Sequence, residues 1–75
     1  MSVIAITPPQ VWESRNPILL DSVPAYPVGC RYALYAIGTE YGVAAVNPDG
    51  QAYTGNVYGD EATARRWMNA QRYDG

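Results

Sequence analysis

Five of the six prolines in this 75-residue chain fall within residues 8–27, in the stretch PPQVWESRNPILLDSVPAYP. Proline lacks a backbone N–H donor, and it disfavours the helical conformation in the residue that precedes it. A long helix and a central β-strand are therefore excluded there. The stretch also carries apolar side chains such as Trp12 and Leu19, so it is not a solvated linker. We expect this proline-rich arm (residues 1–29) either to wrap its own domain or to dock on another molecule.

Regular structure is predicted from residue 30 onward. Three runs rich in Tyr, Val, Ile and Ala are separated by turn residues, which is typical of antiparallel strands. These runs are RYALYAIG at 31–38, YGVAAVN at 41–47 and QAYTGNVY at 51–58. The NPDG sequence between the last two fits a three-residue hairpin loop with Gly50 in the left-handed conformation. For the first hairpin we predict a two-residue loop at Thr39 and Glu40, which pairs Ala36 with Val43. The second hairpin is predicted to pair Val43 with Gly55.

These hairpins place alternate side chains on opposite faces of the sheet. The first face carries Tyr32, Leu34, Ala36, Val43, Ala45, Tyr53 and Val57. The second face carries Arg31, Ala33, Tyr35, Ile37, Ala44, Val46, Ala52, Thr54 and Asn56. A helix is predicted to follow, because Asp60 suits an N-cap position and Arg72 suits a last turn. Its stripe with Trp67 and Met68 is expected to cover one of the two faces.

The expected fold is a small α+β domain that spans residues 1–75. It consists of the arm and a βββα unit at 30–75, with the C-terminal helix packed on one face of an antiparallel β-meander. The meander has three strands, or four if residues 3–7 add a short strand. The sequence leaves open which face the helix covers. The other face is left for the arm or for a partner to cover.

Side chains that commonly carry out catalysis are scarce. The chain has no histidine, and all five of its basic residues are arginine. It therefore lacks the usual neutral-pH base, the commonest metal ligand and the amine of Schiff-base chemistry. Cys30 has no histidine to activate it, and we expect it to be inert. Asp49 and Asp60 are assigned to a turn and a helix cap. We expect no enzymatic activity, no metal and no cofactor.

Charge and cysteine content bound the partners and the compartment. The formal net charge is −2, which disfavours a nucleic-acid partner. A single cysteine forms no disulfide within the chain, and a secreted chain of this size usually needs several. The longest early apolar run, at 3–6, is far shorter than the roughly 20 residues of a membrane span. We expect a cytoplasmic protein without membrane contact; the oligomeric state is left open.

Binding to another protein is the function that the sequence favours, because Tyr, Trp and Arg are enriched at interface hot spots. The predicted contact residues are Trp12, Tyr26, Tyr35, Ile37, Arg65, Arg66 and Arg72. The size of the chain suggests a small regulator or inhibitor, such as a phage host-takeover protein that binds a large host enzyme like RNA polymerase or a CRISPR complex. Two alternatives stay open: a nucleic-acid-binding protein that uses the helix arginines, and a structural subunit that self-assembles through the free sheet edge or the open sheet face.

Overall fold

A computed structural model describes residues 6–53 and 55–74 of the chain. In chain order its elements are a 3-10 helix Gln10–Arg15, strands β1 Ile18–Pro24, β2 Arg31–Ile37, β3 Glu40–Val46 and β4 Asn56–Tyr58, and helix α1 Glu61–Ala70. The four strands form one antiparallel sheet in the order β1-β2-β3-β4. Helix α1 packs on one face of this sheet. The predicted α+β fold, a β-meander with one C-terminal helix, is confirmed.

The fourth strand comes from a later part of the arm than predicted. β1 pairs with β2 from Ile18 to Pro24, with a shift of register at Leu20, whereas Thr7 makes only an isolated parallel bridge to Gln51. Residues 3–5 of the predicted strand lie outside the described residues. The prolines do not prevent β1 from forming, because it is an edge strand that pairs on one side and tolerates Pro24 at its end. The arm is therefore part of the sheet.

The β2–β3 hairpin turns at Gly38 and Thr39, one residue earlier than predicted. Gly38 has a φ of +67°, which a two-residue type II′ turn requires at its first central position. Ala36 consequently pairs with Tyr41 instead of Val43. The predicted pairing is wrong by two residues, but a shift by an even number leaves the side chains of both strands on their predicted faces.

The NPDG loop after β3 forms as predicted. The Gly50 amide donates to the Asn47 carbonyl at 2.9 Å, and Gly50 has a φ of +92°. The Asp49 carboxylate accepts from the Gln51 amide at 2.9 Å. Asp49 therefore stabilises the turn, as its position in the sequence indicated.

The pairing between β3 and β4 departs from the prediction after residue 52. Val43 pairs with Asn56 instead of Gly55, so one extra residue lies between the loop and β4. Gly55 passes very close to β3, since a Cβ built there would lie 1.7 Å from the Val43 carbonyl oxygen. A shift by one residue exchanges faces. Asn56 and Val57 therefore occupy the faces opposite to those predicted.

Two hydrophobic clusters lie on the two faces of the sheet. The α1 face holds Val23, Leu34, Val43, Ala64 and Met68, with Tyr32, Tyr41, Tyr58 and Trp67 half-buried around them. The opposite face holds Trp12, Ala33, Tyr35, Ile37, Ala44, Val46 and Ala52. The helix thus covers the first predicted face, and the 3-10 helix of the arm covers the second.

Trp12 attaches the arm to the sheet. Its indole lies over the bare backbone of Gly42, where a built Cβ would be only 2.4 Å from the Trp12 Cη2 atom. The same ring meets Tyr35 edge-on, with 5.9 Å between ring centroids. Arg15 at the end of the 3-10 helix donates to the Ile37 carbonyl at 3.3 Å and forms an ion pair with Glu40. The arm therefore wraps its own domain, which was the first of the two predicted possibilities.

Helix α1 begins at the predicted cap. The Asp60 carboxylate accepts from the Thr63 amide at 2.9 Å and from the Thr63 hydroxyl at 2.8 Å. The helix ends at Ala70, so the prediction that Arg72 lies in its last turn is wrong: Arg72 lies beyond the end of the helix. Within the residues that the structure describes, no helix is long and apolar enough to cross a membrane.

Candidate protein-binding surface

Three of the predicted contact residues lie in the interior. The exposed fractions of Trp12, Tyr35 and Ile37 are 5%, 1% and 0%. All three belong to the cluster between the arm and the sheet. The sequence predicted that these side chains contact a partner. They have almost no exposed surface for such contact, because the arm covers this face of the sheet.

Arg65 is held between two carboxylates of its own chain. Its Nε atom donates to Glu61 at 2.7 Å, and its Nη1 atom donates to Asp21 on β1 at 2.9 Å. These bonds, the one to Glu61 first, raise the pKa of Arg65 above its usual value. Glu61 precedes Arg65 by four residues, which is the favourable order for an ion pair on a helix. The Arg65 side chain thus joins α1 to the edge strand and is not left for a phosphate.

Arg66 and Arg72 do not extend a cationic stripe from Arg65. Arg72 lies past the end of α1, where its Nε atom is 3.1 Å from each carboxylate oxygen of Asp74. Arg66 is exposed, and no carboxylate forms a salt bridge with it within the described ranges. Two of the three arginines are therefore locally neutralised, which gives nucleic acid little positive charge to bind.

The first half of β1 is an exposed apolar edge. Ile18, Leu19 and Leu20 are 62%, 45% and 40% exposed. β1 pairs with β2 on one side, and no strand of the described chain lies on its other side. The main-chain N–H and C=O groups along such an edge are open to pairing with another chain. Proteins usually protect such edges with charge, proline or a bulge. Residues 18–20 contain neither charge nor proline, and the pairing of β1 with β2 shifts register at Leu20.

A groove lies at the other end of β1. Its lining consists of Pro24, Ala25, Val28, Gly29, Cys30, Arg31, Tyr73 and Asp74, and its volume is about 410 Å³. Tyr73 is held there because its amide donates to the Pro24 carbonyl at 2.9 Å. Beside it stands Tyr26, with 5.3 Å between the two ring centroids. Tyr26 is the predicted aromatic contact residue that stays exposed.

The exposed apolar side chains concentrate on the arm. The described residues include nine large hydrophobic side chains that are exposed, and six of these lie on the arm: Val11, Ile18, Leu19, Leu20, Tyr26 and Val28. Exposed apolar surface in such concentration marks interaction sites. That the arm provides contact surface stays a prediction, and the arm side chains exposed for such contact do not include Trp12.

A more open cavity lies beside α1. Its volume is about 440 Å³, and its lining is Tyr32, Val43, Ala45, Tyr53, Gly55, Asn56 and Trp67. It is aromatic, but neither a carboxylate nor an arginine lines it. Ligand sites usually combine an apolar lining with a few well-placed polar groups. The groove with Arg31 offers the more specific chemistry.

Among the described residues, the Tyr35 hydroxyl is a buried side-chain polar group that could be considered for acid or base chemistry. It is buried and has no hydrogen-bond partner among the residues described. Burial raises the pKa of Tyr35 above its usual value, because the charged phenolate is poorly solvated there. A group that no solvent or substrate reaches offers no acid or base function.

Neither the arrangement of candidate metal ligands nor comparison with known proteins indicates a function. In residues 6–53 and 55–74, no group of three His, Cys, Asp or Glu side chains lies together in a way that could hold a metal ion. No family model, curated protein or solved structure matches the chain. Geometry and surface chemistry are therefore the basis for the function proposed below.

Proposed function

We propose that this protein is a non-catalytic protein-binding module that engages its partner through the exposed edge of β1. The observation that carries this proposal is the run of three apolar side chains, Ile18 to Leu20, on an edge strand. An extended segment of the partner adds to this edge as a further strand. Main-chain hydrogen bonds supply affinity, and the flanking side chains supply specificity.

The apolar side chains of the edge add to the free energy of the proposed complex. Full burial of a fully exposed Leu or Ile side chain contributes about 1.5–3 kcal/mol, and Ile18, Leu19 and Leu20, which are 62%, 45% and 40% exposed, contribute roughly half of that each. Association costs several kcal/mol in lost freedom, so binding requires these contacts together with the main-chain hydrogen bonds of strand addition. Substitutions at two of the three positions should therefore abolish binding.

The wider proposal concerns the kind of partner. A small regulator or inhibitor of a larger host enzyme, acting in a reducing cytoplasm, is motivated by the size of the chain and its single cysteine. The absence of histidine and lysine from the sequence supports a binding role over a catalytic one.

The test is an affinity capture with matched edge variants. Wild type, I18K/L20K and V57K are used to capture proteins from a nuclease-treated bacterial lysate. Val57 is the control because it is also exposed and apolar, but lies on β4 at the opposite edge. We expect wild type and V57K to retain the same large protein in near-equal amount and I18K/L20K to lose it, since lysines on an edge oppose strand addition. Equal retention by I18K/L20K would refute the proposal.

Sedimentation velocity over a range of concentrations distinguishes a foreign partner from a second copy. If the chain is a monomer at all concentrations, the captured protein is the occupant of the edge. If the wild-type protein dimerises and I18K/L20K does not, the β1 edge is a self-association interface. The proposal of a foreign protein partner at this edge is then refuted. Point variants are preferred to deletion of residues 1–28, because that deletion removes both β1 and Trp12 from the fold.

A further inference from the structure

Arg31 is a partly buried cation without an anionic partner among the described residues. Its Nε and Nη2 atoms both donate to the Ser22 hydroxyl, at 3.2 and 3.0 Å. Arg15, Arg65 and Arg72, in contrast, each form a salt bridge with a carboxylate. A hydroxyl satisfies donors but does not neutralise the charge. A partly buried guanidinium of this kind favours the approach of an anion.

The groove that Arg31 lines keeps this positive charge uncompensated. Asp74 also lines the groove, but both its carboxylate oxygens are engaged by Arg72 at 3.1 Å. The Nη1 atom of Arg31 has no hydrogen-bond partner in the described part of the chain. The rest of the lining is mostly apolar, including Val28 and the Tyr73 ring. The groove therefore combines an apolar surface with one available cationic donor.

We propose that this groove binds an extended segment of a partner protein in which an acidic side chain stands beside apolar residues. The acidic carboxylate accepts from Arg31, and the neighbouring apolar side chains pack against Val28 and Tyr73. Charge complementarity selects the acidic residue, because Arg31 has no carboxylate partner among the described residues, whereas the Asp74 carboxylate of the lining is already paired with Arg72. The apolar lining selects its neighbours.

The surroundings of the groove favour a protein segment over a small carboxylate. The volume of about 410 Å³ falls within the range of roughly 300–1,000 Å³ that is typical of ligand sites. Val28 and Tyr26 are 83% and 73% exposed, Val28 in the lining of the groove and Tyr26 beside Tyr73, so they add apolar surface at the groove. An extended segment covers both the cation and this surface, whereas an isolated carboxylate leaves the apolar side chains in water.

This site is independent of the proposed β1 edge contact. β1 has seven residues, so Ile18 and Pro24 stand about 20 Å apart at its two ends. The groove lies at the Pro24 end, and the exposed run begins at Ile18. Failure of one contact leaves the other unaffected, and I18K/L20K should keep the groove intact.

The first test is an NMR titration of the intact ¹⁵N-labelled protein with two acetylated and amidated tetrapeptides, Leu-Pro-Glu-Leu and Leu-Pro-Gln-Leu. We expect saturable shifts of the Gly29, Cys30 and Tyr73 amides with the Glu peptide, and about tenfold weaker binding of the Gln peptide, which lacks the charge-assisted bond. R31Q should reduce binding of the Glu peptide to the same level. R66Q, which removes an exposed arginine, should leave it unchanged.

The comparison of the two peptides on wild-type protein keeps the test valid even if R31Q folds poorly. Equal affinity for both peptides, shifts confined to another part of the molecule, or no saturable shift at millimolar concentrations would each overturn the proposal.

Cys30 gives a second readout because it is the single cysteine of the chain and lines the groove. Its alkylation by iodoacetamide should slow as the Glu peptide is added, with a midpoint that agrees with the NMR titration. An unchanged rate of alkylation at saturating peptide would show that the peptide does not occupy this groove.

Discussion

Gly42 has no side chain, and this leaves the space in which the large Trp12 indole packs. Gly42 lies on β3, and its backbone provides the flat surface on which the Trp12 indole lies. Tyr35, which pairs with Gly42 across the strands, closes one side of this site. β1 is joined to the sheet by its pairing with β2, so the fit at Gly42 bears chiefly on how firmly the 3-10 helix of the arm is held.

Substitution of Gly42 by alanine should loosen the arm. The new Cβ would be 2.4 Å from the Trp12 ring, so the indole has to move. We expect a loss of about 1–3 kcal/mol in the free energy of unfolding, measured by urea denaturation. Gly59→Ala is the matched control, because a Cβ there meets nothing within 4 Å. Equal stability of the two variants would contradict the Trp12 placement.

Tyr35→Phe should leave the stability of the protein unchanged or raise it by up to about 1 kcal/mol, because the buried hydroxyl loses its contact with water without gaining a described partner. Burial raises the pKa of Tyr35 in the folded protein. As pH rises, the Tyr35 hydroxyl therefore loses its proton in the unfolded chain, near pH 10, before it does so in the folded protein. The free energy of unfolding should therefore fall as pH rises above about 10, and fall less in Tyr35→Phe.

Denaturation curves between pH 7 and 11 test this expectation, with the exposed Tyr53→Phe as control. A marked loss of stability in Tyr35→Phe at neutral pH would show that the hydroxyl has a partner. The same alkaline slope in Tyr35→Phe and wild type would contradict the effect of burial.

Helix α1 depends at its start on Asp60 and along its length on contacts with the sheet. The cap satisfies N–H groups that the first helical turn leaves without partners. Met68 and Ala64 pack on β2 and β3, and Arg65 joins the helix to Asp21 of β1. A helix of ten residues is too short to be stable alone, so both kinds of contact are needed.

The cap should make the stability of the helix depend on acid. The hydrogen bonds from the amide and then the hydroxyl of Thr63 hold the pKa of Asp60 below its usual value. This contribution is present above the usual carboxyl pKa near 4 and is lost as pH falls through the lower folded value. Asp60→Ala should lower the Tm by several degrees at pH 7, because it removes the cap.

Asp60→Asn is the informative comparison, because asparagine also caps helices but does not titrate. We expect its Tm at pH 7 to lie near that of wild type and to fall less between pH 5 and pH 2. Thermal melts followed by circular dichroism over this range provide the measurement. If the Tm of Asp60→Asn and of wild type fell equally between pH 5 and pH 2, the loss of stability in acid would come from carboxylates other than Asp60, and this prediction would be wrong.

In the molecule as a whole, two segments from opposite ends of the chain cover one small sheet. The arm covers the face with Tyr35 and Ile37, and α1 covers the face with Leu34 and Val43. With both faces covered, the exposed apolar surface shifts to the β1 edge and to the groove near Tyr73. These two places are the ones that we propose for contact with a partner.

Local pattern determined much of the fold. Alternation along residues 31–46 placed Leu34 and Val43 on one face and Tyr35 on the other, and the offset hairpin did not change this because it was even. The NPDG loop and the Asp60 cap also formed as predicted, since both depend on residues within one turn of each other. The one-residue slip at Gly55 was not predictable, because it arises from a close approach to β3.

Only the tertiary structure decided what covers each face and which edge stays open. An apolar face gains similar free energy whether a segment of its own chain or a partner covers it, so alternation cannot distinguish the two. In the structure Trp12 packs on Gly42, so the arm covers this face. Tyr35 and Ile37, which were predicted to be exposed contact residues, consequently lie in the core. The exposure of Ile18 to Leu20 follows from the position of β1 at the sheet edge, which depends on strand order and not on the residues themselves.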